Sequence, residues 1–238
     1  MSVNANVLPR SGLIESTAHS KATATAETFG ETRAWDPKDF AREQIRGLVR
    51  RVFFADPGEP VKQVVFSPAE PGTDVGIICD QVGRALARET SAEIAILSRN
   101  SATADTGVSH DRGLYSERAG IKSWSSRMAP NLWRVPESGL RDRCPEAATG
   151  RYWLWALVEL RNDFEYVVIQ GPEARFASES ALIGQLTDGI ILVLEAHSTR
   201  RATARKIKEA LEGTQSRILG TVLSERTFPV PEGLYRRL

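Results

Sequence analysis

Residues 67–87, SPAEPGTDVGIICDQVGRALA, decide the fold predicted for this chain. The apolar run VKQVVFS at 61–67 leads into them and predicts a buried strand. Glu70-Pro71-Gly72 interrupts that run, as proline and glycine do in turns. Apolar residues then recur at helical spacing and predict a helix over 75–89. The stretch therefore predicts a strand, a tight turn and a helix in immediate succession.

The same alternation continues along the chain. Predicted helices cover 38–55, 151–163, 178–185 and 198–213, and further predicted strands cover 92–98, 131–136, 164–170, 189–196 and 216–224. Strands that are apolar on both faces and separated by helices predict an α/β three-layer sandwich, with about six to seven strands in a mostly parallel sheet and helices on both faces. Ligands bind such sheets at the carboxyl ends of the strands.

Two long segments do not follow this pattern. Residues 1–34 are rich in Ser, Thr and Ala, and they predict a disordered tail because they offer too little apolar area to offset the entropy of ordering. Residues 35–238 are predicted to form a single domain. Residues 99–130 are polar and rich in Gly and Ser, so they predict a long loop. Asp36 and Ser198 are predicted N-caps of the helices that follow them.

Composition argues against several classes of protein. The 238 residues include 31 basic and 30 acidic side chains, and the formal net charge of +1 does not favour nucleic acid as a partner. Two cysteines, Cys79 and Cys144, cannot form a disulfide framework, and with only three histidines they predict no metal centre. The apolar runs are shorter than the ~20 residues of a membrane span, and no signal peptide begins the chain, so we expect a cytoplasmic protein.

Residues 67–87 resemble the phosphate-binding segment of the bacterial tyrosine autokinases of capsular and exopolysaccharide systems, TSAxPGEGKSTxAxNLAxxLA. That family belongs to the partition-type ATPases, which have a deviant P-loop. The residues that keep the pattern are Ala69, Glu70, Pro71, Gly72, Leu86 and Ala87. Further segments match the family in the same order, at 41–54, 92–100, 129–139, 160–174, 187–211 and 218–238. The resemblance implies a P-loop-NTPase-like fold over about 38–238.

The departures from that pattern fall on positions that the family uses to bind nucleotide and metal. Val75 stands at the lysine position, Gly76 and Ile77 at the Ser/Thr positions, and Asp74 at a glycine. The family's three acidic positions hold Ser98, Asn100 and Gln170, and its adenine-side asparagine is Ser224. The degenerate nucleotide-binding positions are therefore Glu70, Pro71, Gly72, Thr73, Asp74, Val75, Gly76, Ile77, Ser98, Asn100, Gln170 and Ser224.

These losses imply a catalytically inactive homologue. Phosphoryl transfer depends on positioned charges and a metal ion, so losing the lysine, the hydroxyl and the acidic residues together removes its basis. We expect no catalytic residues, no metal site and no well-bound ATP or Mg²⁺. Asp74 also suits a purely structural role as the N-cap of the helix at 75, and Asp188 suits a turn before a buried strand.

Two other features carry family-based expectations. Glu43, Arg46 and Arg50 approximate the ExxRxxR motif, which in the resembling family makes contacts between subunits and implies a homo-oligomer. The same residues equally suit a solvated salt bridge on one helix. Tyr235 stands alone near the end of the chain, where active members carry a tyrosine cluster, so we expect a docking residue rather than a phosphorylation site.

Three hypotheses of function follow. The first is an interaction or regulatory module of exopolysaccharide or capsule biosynthesis or export, whose protein partner is a membrane chain-length regulator or an active kinase paralogue. The second is an active protein-tyrosine kinase or ATPase with a rearranged site, which needs a replacement lysine that the turn does not contain. The third is a partition-type positioning protein, for which the basic residues at 200–208 are a modest signal.

Overall fold

The structure is a computed structural model that describes residues 4–6, 37–56, 58–99, 120–144, 151–175 and 177–225. These ranges contain strands and α-helices that alternate along most of the chain. The strands are β1 Asn4–Asn6, β2 Gln63–Pro68, β3 Ile94–Ser98, β4 Ser126–Ala129, β5 Leu132–Pro136, β6 Tyr166–Gln170, β7 Gly189–Glu195 and β8 Ile218–Ser224. The helices are α1 Pro37–Phe53, α2 Val75–Glu89, α3 Glu137–Arg143, α4 Tyr152–Asp163, α5 Ala177–Leu186 and α6 Arg201–Gly213, with a 3₁₀ helix at Ile121–Trp124.

One mostly parallel sheet joins all these strands in the order β1-β8-β7-β2-β6-β3-β5-β4. The pairings from β8 through β5 are parallel. At the two edges β1 pairs antiparallel with β8, and β4 pairs antiparallel with β5. The predicted mostly parallel sheet is therefore confirmed, with eight strands rather than six or seven because each edge carries an antiparallel strand.

Helices cover both faces of the sheet, and each face has its own apolar core. Val64 and Phe66 of β2 belong to the core that α1 and α2 share with the sheet. Val65, which points to the opposite face, belongs to the core formed with α4, α5 and α6. Every residue of β2 is buried, as expected for a parallel strand covered on both sides.

Helix α2 begins and ends where the sequence predicts, at Val75 and Glu89. Its buried residues Ile78, Val82 and Leu86 recur every four positions and form its core-facing stripe. A Cβ at Gly83 would lie 2.6 Å from Ile96 Cδ1, so the helix approaches β3 closely. This packing sets the start of α2 at the carboxyl end of β2.

The predicted secondary structure differs from the observed secondary structure in three places. The predicted loop 99–130 contains β4 and the 3₁₀ helix, since Trp124 and Met128 pack against the two cores and order this segment. Helix α3 was not predicted at all. Ser198 does not cap α6, which begins at Arg201 with no side-chain cap; instead the Thr199 hydroxyl accepts a hydrogen bond from Glu195 N.

The predicted disordered tail, residues 1–34, is described only in part. Its residues Asn4–Asn6 form edge strand β1, which the prediction did not include. The rest of 1–34 lies outside the described residues, so disorder there stays a prediction. Asp36, Asn100 and Tyr235 also lie outside the described residues.

Candidate functional site

The turn after β2 is fixed from both sides by backbone hydrogen bonds. Ala69 N donates to Val193 O at 2.9 Å, and Ala174 N donates to Pro68 O at 2.8 Å. Gly72 has φ +87°, in the left-handed region that favours glycine. The Glu70-Pro71-Gly72 sequence therefore forms the tight turn that it predicts, at the carboxyl edge of the sheet.

Asp74 caps the start of α2. Its Oδ1 accepts a hydrogen bond from Gly76 N at 2.8 Å, while its own backbone is extended, as is usual for an N-cap. The structural interpretation of Asp74 is thus confirmed. As a consequence, a carboxylate of the chain itself takes one of the free N–H groups at this helix start and offsets its partial positive charge.

The three positions after Asp74 provide no charge. Val75 and Ile77 are half-buried, and Val75 packs against the core beneath α2. Lysines with described side chains lie elsewhere: Lys62 pairs with Glu165 at 2.6 Å, and Lys122 pairs with Glu93 at 3.5 Å. None of the lysines described in the structure lines the cleft beside the turn.

Gln170 connects the end of β6 to the end of β3. Its side chain is buried, and its Oε1 accepts hydrogen bonds from Ser98 Oγ at 3.3 Å and from Arg99 N at 3.2 Å. A Cβ at Gly76 would lie 3.3 Å from Gln170 Nε2. The fold therefore brings together positions 76, 98 and 170, as the resemblance implies, but with a glycine, a hydroxyl and a neutral amide.

A charged network that the sequence analysis did not identify lies next to Gln170. The Arg99 guanidinium lies 3.5 Å from Glu137 Oε2 and 3.5 Å from Glu179 Oε2. Arg141 also pairs with Glu137, and this hydrogen bond raises the pKa of Arg141. Trp153 Nε1 donates to Glu179 Oε1 at 3.2 Å. Because Glu137 is almost fully buried, these partners keep its carboxylate from being isolated.

A small cleft of about 170 Å³ lies beside the turn. Its walls are formed by Gly72, Thr73, Asp74, Ile77, Ile78, Glu195, Ser224 and Glu225. Thr73 Oγ1 donates to Glu195 Oε2 at 3.5 Å, and Ser224 Oγ donates to Leu194 O at 3.3 Å. The cleft thus combines an apolar wall with three carboxylates, and no side chain in its lining is basic.

The described residues show neither a metal-ligand cluster nor a membrane-spanning helix. Within the ranges placed by the structure, histidine, cysteine and acidic side chains nowhere gather in a group of three or more suited to a metal ion. No helix in the same ranges combines the length and the apolar character needed to cross a membrane.

The predicted self-association residues pair within the chain. Arg46 Nη1 lies 3.2 Å from Glu43 Oε2, and Arg46 Nε lies 3.5 Å from Glu89 Oε1 on α2. Arg50 Nη2 also contacts Glu89 Oε1, at 3.3 Å. These contacts join α1 to α2 on an exposed surface. Self-association through Glu43, Arg46 and Arg50 stays a prediction.

Comparison with known proteins gives related sequences and a shared fold. No protein-family model matches the chain. Over 96 residues the chain is 28% identical to tyrosine-protein kinase CpsD of Streptococcus agalactiae serotype III (strain NEM316), a match that covers 40% of this chain and 41% of that protein's length. It is 22% identical over 196 residues to tyrosine-protein kinase YwqD of Bacillus subtilis (strain 168), with 79% of this chain and 83% of that protein covered.

Among solved structures, the chimerical protein CapA2B2 superposes with a TM-score of 0.58 at 20% identity, covering 79% of this chain and 85% of the other. At this low identity the superposition shows a common fold and nothing further. The chain is thus related in sequence to bacterial tyrosine-protein kinases and has a P-loop-NTPase-like fold.

Proposed function

We propose that this protein is a catalytically inactive relative of the bacterial tyrosine kinases, acting as an interaction or regulatory module in exopolysaccharide or capsule biosynthesis or export. The observation that carries the proposal is the start of α2. There Asp74 caps the helix through Gly76 N, and Val75 occupies the position at which the resembling kinases have their phosphate-binding lysine.

The charges at this helix start disfavour a nucleotide. A lysine contact to phosphate contributes about 1.5–3 kcal/mol as a charge-assisted hydrogen bond, and Val75 cannot make one. Asp74, Glu195 and Glu225 add negative charge around the adjoining cleft, which repels phosphate further. The residues present therefore do not fit a triphosphate at this turn.

The metal position gives a second, independent argument. Mg²⁺ is bound in proteins through carboxylate oxygens, hydroxyls and water. Gln170 offers a neutral amide whose oxygen is already occupied by Ser98 Oγ and Arg99 N. Gly76 offers no hydroxyl. Since Mg²⁺ neutralises charge in phosphoryl transfer, a site without its ligands does not support that chemistry.

The proposed interaction role is supported by what the chain keeps. The core, the sheet and the turn are all formed, so the surfaces that relatives could share remain available although the chemistry is replaced. We propose a protein partner from the same polysaccharide system, either the cytoplasmic part of a membrane chain-length regulator or an active kinase paralogue, with the module held at the membrane through that partner.

Calorimetry with ATP and Mg²⁺ tests the loss of nucleotide binding. We expect no binding heat at millimolar ATP for the native protein, and no rise in melting temperature, which a native-state ligand would cause. The comparison variant carries Asp74→Gly, Val75→Lys, Gly76→Ser, Ile77→Thr, Ser98→Asp and Gln170→Asp, and should gain measurable affinity. Micromolar, Mg²⁺-dependent binding by the native protein would refute the proposal.

A genetic complementation experiment tests the non-catalytic role. Deleting the gene should reduce polymer output, and Val75→Ala or Ile77→Ala variants should restore it as well as the native gene does, because no chemistry depends on these positions. The control is a core variant, Phe66→Ala, which should fail through loss of folded protein. Failure of both site variants at normal protein levels would indicate that the site is active.

A further inference from the structure

Gln170 lies where three segments of the candidate site meet. It ends β6, it accepts hydrogen bonds from Ser98 Oγ and Arg99 N at the end of β3, and its amide nitrogen faces the first turn of α2 at Gly76. Only 6% of the residue is exposed. The carboxamide oxygen is thus bound to the end of β3, and the nitrogen lies against the start of α2.

Gly76 is the residue against which this amide packs. A Cβ at position 76 would lie 3.3 Å from Gln170 Nε2 and 3.0 Å from Asp74 Oδ1, both closer than ordinary van der Waals contact. Asp74 is held in place because it caps the helix through Gly76 N. Gln170 is held in place because its oxygen is bound to β3. A side chain at position 76 would therefore require Asp74 and Gln170 to shift by a few tenths of an ångström against these hydrogen bonds.

We propose that Gln170 is the residue that closes this site. Its carboxamide occupies the space beside the first turn of α2, so a side chain at residue 76 is disfavoured and little room is left there for a hydroxyl group or a divalent cation. The inference rests on the proposed function and deepens it, because it gives a reason within the chain for the site to stay closed without any partner. Positions 76 and 170 then form a coupled pair.

A double-mutant cycle measures this coupling through the melting temperature. Gly76→Ala is made in the native protein and in a Gln170→Ala background. Alanine is normally better than glycine in a helix, but the contact of its Cβ with Asp74 Oδ1 is present in both backgrounds. The shift in melting temperature caused by Gly76→Ala should therefore be about 2–4 °C more favourable in the Gln170→Ala background than in the native protein, because only the native protein has the contact with Gln170.

Further variants provide the controls for the double-mutant cycle. Gly47→Ala on α1 is the matched control, because a Cβ there meets nothing within 4 Å, and its shift should be the same in both backgrounds. Gln170→Glu keeps the shape of the side chain, so Gly76→Ala should be as unfavourable in that background as in the native protein. Gln170→Ser replaces Gln170→Ala if the latter does not fold.

Equal shifts for Gly76→Ala in the native and Gln170→Ala backgrounds, with the Gly47→Ala control additive, would overturn the closure by Gln170. That result would leave the proposed function standing, since Val75 would still lack a charge. Conversely, ATP binding by the native protein would refute the proposed function whatever the cycle shows. The two failures are therefore distinguishable.

Discussion

Strands β2 and β6 lie side by side in the middle of the sheet, and the turns that follow them differ from the strands in kind. Val64, Val65 and Phe66 of β2 are fully buried, as are Val167, Val168 and Ile169 of β6. These strand positions require only apolar side chains of suitable volume, which many residue types provide. The carboxyl ends of these strands require particular groups at particular atoms, and there the chain holds Asp74 in the turn after β2 and Gln170 as the last residue of β6. The strands therefore depend on apolar packing, whereas the groups at their carboxyl ends depend on specific hydrogen bonds.

The largest effect on stability is expected for a substitution in the buried strand β2. Phe66→Ala removes a fully buried ring from the core beneath α1 and α2 and should lower the free energy of unfolding by about 3–5 kcal/mol. Phe54→Ala is the control, because that ring is 40% exposed and should cost well under half as much. Urea denaturation measures both. A similar loss for the two variants would contradict the buried core described for β2.

A second test compares the glycines of the two turns. A Cβ at Gly171 would lie 2.5 Å from both Ser67 Oγ and Val65 Cγ1, so Gly171→Ala should destabilise the fold by about 1–3 kcal/mol through overpacking. Gly72 has open space around it but a φ of +87°, so Gly72→Ala should cost about 1 kcal/mol through backbone strain.

Substitution by asparagine distinguishes backbone strain at Gly72 from overpacking at Gly171. It tolerates the left-handed region better than alanine, so Gly72→Asn should recover part of the loss, whereas Gly171→Asn should be worse than Gly171→Ala. Thermal melts of the four variants give the ranking. A Gly72→Asn protein no more stable than Gly72→Ala would show that conformation is not the constraint at this turn.

The cap at Asp74 should have a smaller effect. Asp74→Ala removes the acceptor for Gly76 N and should cost about 0.5–2 kcal/mol, whereas Asp74→Asn should leave stability nearly unchanged, since asparagine caps helices as well as aspartate does. Chemical denaturation of both variants measures the difference. If asparagine destabilised as much as alanine, the charge rather than the hydrogen bond would be what Asp74 contributes.

The smallest effect is expected on the surface between α1 and α2. Arg50 is 59% exposed in its pair with Glu89, and exposed pairs contribute less than ~1 kcal/mol, so Arg50→Ala should scarcely change the melting temperature. Light scattering on the same variant tests the predicted self-association. A native oligomer that dissociates on this change would support the family-based expectation, while an unchanged monomer would favour the intramolecular salt bridge.

Sequence patterns predicted the elements whose residues carry a long, regular signal. Helix α2 was predicted with its observed ends because its apolar spacing continues over four turns and the turn before it is marked by Pro71 and Gly72. Strand β4 was missed because an edge strand with two exposed and two half-buried residues has no apolar run to reveal it. Helix α3 is short, and five of its seven residues are polar or charged.

The candidate site also has a part that the sequence predicted and a part that it did not. The resemblance placed Gly76, Ser98 and Gln170 together, and the fold confirms their proximity. No pattern predicted that Arg99 would meet Glu137 and Glu179, because these side chains come from distant segments and their contact depends on how α3 and α5 pack. A single arginine after a strand does not reveal its partner in a sequence.

The pairing of β1 with β8 has a consequence for how the sheet folds. Asn4 lies opposite Leu223, so the two strands that meet at this edge are 219 positions apart in the chain. A contact between such distant segments forms slowly, because the entropy of closing the chain between them is lost before the contact is gained. We therefore expect this edge of the sheet to form late in folding.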